Sequence, residues 1–189
     1  VRKAKPKDAK SKPKETAKAG AKAGANAGDG LHPMLAAKLW ANPCWLSFRA
    51  NFVAHHFNQP VYDWIWREFR LTPPEHIVLY ALSLKDGITA DDIVASTARP
   101  KNTLSRSVNA LLRKKLIVRK PDAKDRRRLF LNLTAHGRRI VAASVPMLVA
   151  HERAMARILS PSERKILSAL FDKMVVDKGN WPTQIQGRA

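Results

Sequence analysis

The sequence predicts a mainly α-helical fold that carries one small β-hairpin. Apolar residues recur at helical spacing through most of residues 31–178. Two segments, Thr72–Glu75 and Ser160–Glu163, carry the signature of a helix start. Two β-rich runs, Leu116–Lys120 and Leu129–Leu133, break the helical period once.

Leu31, Met34, Leu35 and Leu39 predict a short leading helix to Trp40, closed by the Asn42-Pro43 break. Trp45–Phe57 resumes the helical spacing, and Pro60, which has no N–H to donate, is expected to interrupt or kink it. Val61–Leu71 is rich in aromatic residues (Tyr62, Trp64, Trp66, Phe69) and too apolar for an exposed helix, which predicts a subunit interface. Thr72 caps the next helix, Pro73 suits its first position, and Glu75 can reach back to the cap. That helix stops near Asp86-Gly87. Thr89 opens a short helix to Ser96–Ala98, with Asp91 and Asp92 favourably placed in its first turn. Pro100–Lys114 follows as a helix whose buried stripe is Leu104, Val108, Leu111 and Leu112. The two β runs are then joined by Pro121–Arg128, a loop long enough to be functional. Thr134 caps a long helix through Ile158 that Pro146 should kink, and Ser160 opens the last helix, with Ile166, Leu167, Leu170, Phe171 and Met174. From Gly179 on, a loose end is expected.

Charge is the second theme. The 189 residues carry a formal +20, of which +6 lies in residues 1–30. Between Arg99 and Arg128, twelve lysines and arginines face only Asp122 and Asp125. Charge so concentrated suits a polyanion, and nucleic acid above all. An anionic membrane would need an apolar face that this stretch lacks, so no membrane partner is expected. Residues 1–30 are Lys, Ala, Gly and Pro with almost no large apolar side chain. They are expected to be a disordered basic tail, able to add nonspecific phosphate contacts, and not a secretory signal. One cysteine, Cys44, excludes an internal disulfide and fits a cytoplasmic setting.

Short helix, turn, second helix and hairpin is the order of a winged helix-turn-helix. The major groove admits a helix, and small polar side chains on it reach base edges. Arg106 suits guanine O6 and N7, and Asn102 or Asn109 suits adenine. Lys101, Thr103 and Ser105 lie on the same polar helix, the first two near enough to its start to reach bases or phosphate. Arg113, Lys114 and Lys115 at its far end suit phosphates, which position without specifying. Lys124, Arg126, Arg127 and Arg128 of the wing suit a narrow minor groove. Asp125 is expected to hold a neighbouring wing arginine by a charge-assisted hydrogen bond. The expected division is a winged domain over 72–134, a helical dimerisation region over 31–71 and 135–178, and loose ends at 1–30 and 179–189.

Thr103-Leu104-Ser105-Arg106-Ser107-Val108, Leu116-Ile117-Val118-Arg119, Asp125-Arg126-Arg127 and Leu133-Thr134-Ala135-His136-Gly137 together resemble the MarR (multiple-antibiotic-resistance regulator) family of bacterial transcription regulators. The resemblance covers about residues 45–175. It implies an obligate homodimer with intertwined first and last helices, a pseudo-palindromic operator on double-stranded DNA, repression as the default, and a nucleoid-associated, cytoplasmic protein. It puts the Thr103–Asn109 face in the major groove and Arg126 or Arg127 in the minor groove. One departure stands out: Lys115 occupies a position where the family often has Gly, so it must adopt a turn that penalises a side chain, or the helix must end differently.

Family members commonly respond to small aromatic or phenolic acids bound between the dimer helices and the winged domain. Trp45, His55, His56, Trp64, Trp66 and His76 are the candidates for such a pocket, with plain core and interface packing as the competing role. Cys44, near a helix start, is a candidate redox sensor, since one branch of the family senses hydroperoxides through such a cysteine. A Cys44, His55, His56 metal site is disfavoured because adjacent helical residues point about 100° apart, and no cofactor is expected. No glycine-rich phosphate loop, nucleophile triad or His-Glu-x-x-His segment points to an enzyme. The alternative to a specific regulator is a nonspecific architectural DNA-binding protein.

Overall fold

The structure, a computed structural model, describes residues 30–97, 99–123, 125 and 127–184. The basic stretch 1–29 and the wing residues Lys124 and Arg126 lie outside the described residues. The element order is α1 (Pro33–Trp40), α2 (Trp45–Phe69), α3 (Pro73–Leu84), α4 (Ala90–Thr97), α5 (Lys101–Arg113), β1 (Ile117–Pro121), β2 (Leu129–Leu133), α6 (Ala135–Met155) and α7 (Pro161–Val176), with short 3-10 turns after α6 and α7. The chain divides into two compact units between His56 and Phe57.

In the first unit His32 caps α1 by accepting the Met34 N–H at 3.2 Å. Arg49 joins α1 to α2, donating to the carbonyls of Leu39 and of Trp45. Trp45, Leu46 and Val53 remain exposed.

The second unit holds the core. Val61, Ile65, Leu71, Val78, Leu79, Leu82, Ile93, Leu104, Val108, Leu111, Leu116, Ile117, Leu131, Leu133, Ile140 and Val141 are buried together. The helix starts follow their caps. The Thr72 N–H and hydroxyl both donate to Glu75 Oε2, at 2.7 and 3.1 Å. Thr89 and Asp92 exchange the same kind of bonds at the head of α4, and Ser160 and Glu163 at the head of α7. Strands β1 and β2 pair antiparallel from Ile117↔Leu133 to Pro121↔Leu129. The residue Ile88, between α3 and α4, adds a third edge by bridging Leu131. That bridge was not legible in the sequence, because one residue carries no period.

Pro60 does not end its helix, and α2 and α6 each run on through their internal proline. Both prolines are exposed, so water can take the carbonyls their missing N–H groups would have bound. Val61–Leu71, expected at a subunit interface, is partly covered within its own chain, while Trp66 stays exposed. Val61, Ile65 and Leu71 are buried in their own chain, with Tyr62, Trp64 and Phe69 packed against that core. On α7, Ile166, Leu167, Leu170, Phe171 and Val175 are all exposed and no residue is buried.

Lys115 resolves the departure noted above by taking the penalised turn, with φ of 56°. The Lys115 N–H donates to the Leu112 carbonyl and the Leu116 N–H to the Leu111 carbonyl, each at 3.0 Å. This is the paired closure of a helix that normally uses glycine. Gly137 has a different necessity. A Cβ there would lie 2.2 Å from the Leu116 carbonyl oxygen, so the start of α6 approaches the β1 backbone only because this residue has no side chain.

Candidate nucleic-acid interface

Helix α5 presents two unlike faces. Leu104, Ser107, Val108 and Leu111 are buried; Lys101, Asn102, Ser105, Arg106, Asn109 and Arg113 are exposed, and Thr103 is half-buried at the margin. The start of α5 is anchored from two sides. Arg99 donates to the Tyr62 hydroxyl on α2 at 3.3 Å, and Lys101 pairs with Asp91 on α4 at 2.8 Å. The latter pair is largely exposed, worth little by itself, and free to exchange for a phosphate.

The exposed polar residues are not equivalent. Asn102 Oδ1 accepts the Thr103 N–H at 2.8 Å, and Asn109 Oδ1 accepts from Arg119 Nη2 at 2.9 Å. Reading adenine in a bidentate way needs both the amide oxygen and the amide nitrogen. Each Asn therefore has its acceptor engaged within the protein. Arg106, by contrast, has no acidic partner among the described residues, and its full set of donors faces solvent. Arg119 belonged to the basic run but was not singled out; only the pairing of β1 beside α5 shows that it reaches Asn109.

At the other end of α5, Lys114, an expected phosphate anchor, is engaged within the chain. The Lys114 ammonium meets Glu75 Oε1 at 2.7 Å and Oε2 at 2.9 Å and donates to the Arg70 carbonyl at 3.0 Å. Its three donors are thus occupied by the chain itself. Glu75 is buried, which raises its carboxyl pKa, but the Lys114 ammonium and the Thr72 N–H and hydroxyl outweigh burial and hold it below the usual carboxylate range. Arg113, one position earlier, stays exposed.

In the wing, Asp125 shapes the turn: its Oδ1 accepts the Arg127 backbone N–H at 3.0 Å and its carbonyl accepts the Arg128 N–H at 2.9 Å. Arg127 and Arg128 are exposed, and the Arg128 guanidinium lies 5.5 Å from the centre of the Phe130 ring.

The candidates for an effector pocket fall in both units. Trp45, His55 and His56 belong to the first unit and are exposed; His56 Nδ1 lies 2.8 Å from the Phe52 carbonyl. In the second unit Trp66 is exposed, while Trp64 lines a cavity of about 140 Å³ with Val61, Leu148 and His151. That volume is below the range usual for small-molecule sites. His76 is a core residue: its Nε2 lies 3.3 Å from Ser144 Oγ, and burial pushes its pKa down to about 4. Cys44 is exposed in the α1–α2 turn, where its N–H donates to Asn42 Oδ1 at 2.9 Å. Among the described residues no group of three His, Cys, Asp or Glu could hold a metal ion, and no helix is long and apolar enough to cross a membrane.

Known proteins share this arrangement. Residues 71–128 match a family model described as MarR family. The transcriptional regulator HosA of Escherichia coli O157:H7 is 30% identical over 119 residues, which are 63% of this chain and 88% of the relative. The solved MepR–DNA complex of S. aureus is 29% identical, with a TM-score of 0.59 over 69% of this chain and 94% of that one. BpsR of Bordetella bronchiseptica, solved in connection with regulation of its DNA binding by 6-hydroxynicotinic acid, is 25% identical, with a TM-score of 0.55 over 67% of this chain and 98% of that one.

Proposed function

The chain belongs to the MarR family of transcription regulators, and on that premise we propose that it represses transcription as a homodimer on a pseudo-palindromic operator and is released by a small-molecule effector. The observation that carries this reading is the exposed polar face of α5 with an unpaired Arg106, set beside a cationic hairpin. Arg106 reads a guanine in the major groove. Ser105 and Thr103 add contacts at the helix start, and Lys101 exchanges Asp91 for phosphate. Arg113 positions from the far end, and Arg127 and Arg128 follow the minor groove. Lys124 and Arg126, outside the described residues, belong to the same wing by sequence. Asp125 shapes the wing and makes no direct contact.

The uncovered apolar face of α7 supports the dimer, because a row of five exposed large apolar residues on one 16-residue helix needs a cover. Two copies then present two recognition helices at a fixed spacing, and a symmetric protein reads a symmetric site. The effector reading draws on the solved relative BpsR, whose DNA binding is described as regulated by 6-hydroxynicotinic acid.

Competition binding tests the reading against the architectural alternative. The protein should hold DNA fragments from its own promoter region about 10³-fold or more tightly than random duplex at one salt concentration. Equal displacement by every fragment would make it a nonspecific DNA-binding protein.

A further inference from the structure

Strand β1 lays one side chain against the exposed stripe of α5: Arg119 donates from Nη2 to Asn109 Oδ1 at 2.9 Å. The backbone makes this meeting. Lys115, with φ of 56°, closes α5 and turns the chain back as β1. Ile117 and Arg119 lie on one face of that strand, because side chains alternate along it. Ile117 is buried in the core, and Arg119, two residues on, is exposed beyond the core's edge, beside α5. Asn109 stands about one turn beyond Arg106, on the exposed stripe that also holds Asn102 and Arg113.

The chemistry of the pair is one-sided. Arginine only donates, so the amide atom that meets it is the oxygen, and the two amide N–H groups are left for other partners. In the major groove adenine and cytosine each present an amino group, whereas guanine and thymine each present a carbonyl. A free asparagine amide reads adenine, donating to N7 and accepting from N6. With Arg119 in place, an amino group brought to Asn109 Oδ1 would stand beside a guanidinium, donor against donor. A carbonyl brought to the amide N–H groups would meet donors and a neighbouring positive charge. We propose that Arg119 determines base specificity: by holding Asn109 Oδ1 it makes the amide a donor-only reader, which selects guanine or thymine and rejects adenine and cytosine.

Arg119 acts here through Asn109 and is a positioning residue. The assignment deepens the regulator reading above and rests on it. One net hydrogen bond shifts an equilibrium by a few-fold, or about fivefold at the middle of the usual range. That is the size of effect expected at one position of a binding site.

The test is selection of bound duplexes from a random library by the full chain, by Asn109→Ala and by Arg119→Met, which keeps a long side chain and removes its donors. The position whose preference is lost in Asn109→Ala is the base that Asn109 reads. There the wild type should take guanine or thymine over adenine or cytosine by about fivefold. Arg119→Met should raise adenine relative to guanine at that position by about fivefold, while the rest of the consensus stays as it is. A ratio of bases at one position is untouched by a phosphate contact, whose loss weakens all sequences alike. Adenine preferred by the wild type, or no position lost in Asn109→Ala, overturns the proposal. So does an unchanged ratio in Arg119→Met, which would leave Arg119 a phosphate contact only, and so does a preference altered at every position, which would make its role structural. A wild type that selects no consensus at all overturns the regulator reading itself, and the assignment with it.

Discussion

At the scale of single residues, two positions set sharp requirements. Gly137 is read from the sequence only as part of a Leu-Thr-x-x-Gly string; its reason is the Leu116 carbonyl oxygen, 2.2 Å from where a Cβ would stand. Backbone cannot step aside as a flexible side chain can. Gly137→Ala should therefore destabilise the fold by about 3 kcal/mol, the upper end of ordinary overpacking, seen as a lower urea midpoint with an unchanged slope. His76 was a pocket candidate because it is a histidine among aromatics. Its real environment, buried against Ser144, involves a contact 68 positions along the chain, which no local pattern announces. Burial holds its folded pKa at about 4, below the 6.5 of a free histidine. The unfolded chain thus binds a proton that the folded chain refuses. The stabilisation is complete above pH 6.5 and falls as the pH drops from 6.5 towards 4, by about 3 kcal/mol in all. Thermal melts across that window should lose much of this acid sensitivity in His76→Phe.

At the scale of elements, what was legible is what local chemistry decides. Thr72, Thr89 and Ser160 start helices because the capping residues lie within three positions of each other. The hairpin was legible because the apolar period changes. That α2 continues through Pro60 was not legible, because tolerance of a missing N–H depends on whether the freed carbonyl meets water, and that is a property of the packed molecule. The ion pair of Lys114 was hidden for a related reason. In sequence Lys114 is one of three consecutive cations, and only the fold brings buried Glu75 within 2.7 Å of it. Its neighbour Lys115 holds a left-handed turn with φ of 56°, a cost of about 1 kcal/mol for a residue with a Cβ. Lys115→Gly should recover most of that cost, about 1 kcal/mol, as a raised urea midpoint, because the two hydrogen bonds that close the helix use only backbone atoms.

At the scale of the whole molecule, the basic segment first noticed as a charge anomaly divides into parts with different work. Arg106 is exposed with no acidic partner among the described residues, Asn102 and Asn109 have their acceptors engaged, Lys114 ties helices together, and Asp125 forms the wing turn. Composition points towards a polyanion; it could not rank these side chains, since the ranking depends on which are already satisfied inside the protein. The exposed apolar face of α7 is what the proposed dimer would cover with a second copy. The central claim, that a dimer reads sequence chiefly through Arg106, is tested by selecting bound duplexes from a random library with the wild-type protein and with Arg106→Ala. The account predicts a two-fold symmetric consensus for the wild type. In the variant, the preference at one base pair in each half-site should be lost, with binding weakened by about 1–3 kcal/mol. No enriched consensus, or the same consensus from both proteins, would contradict it.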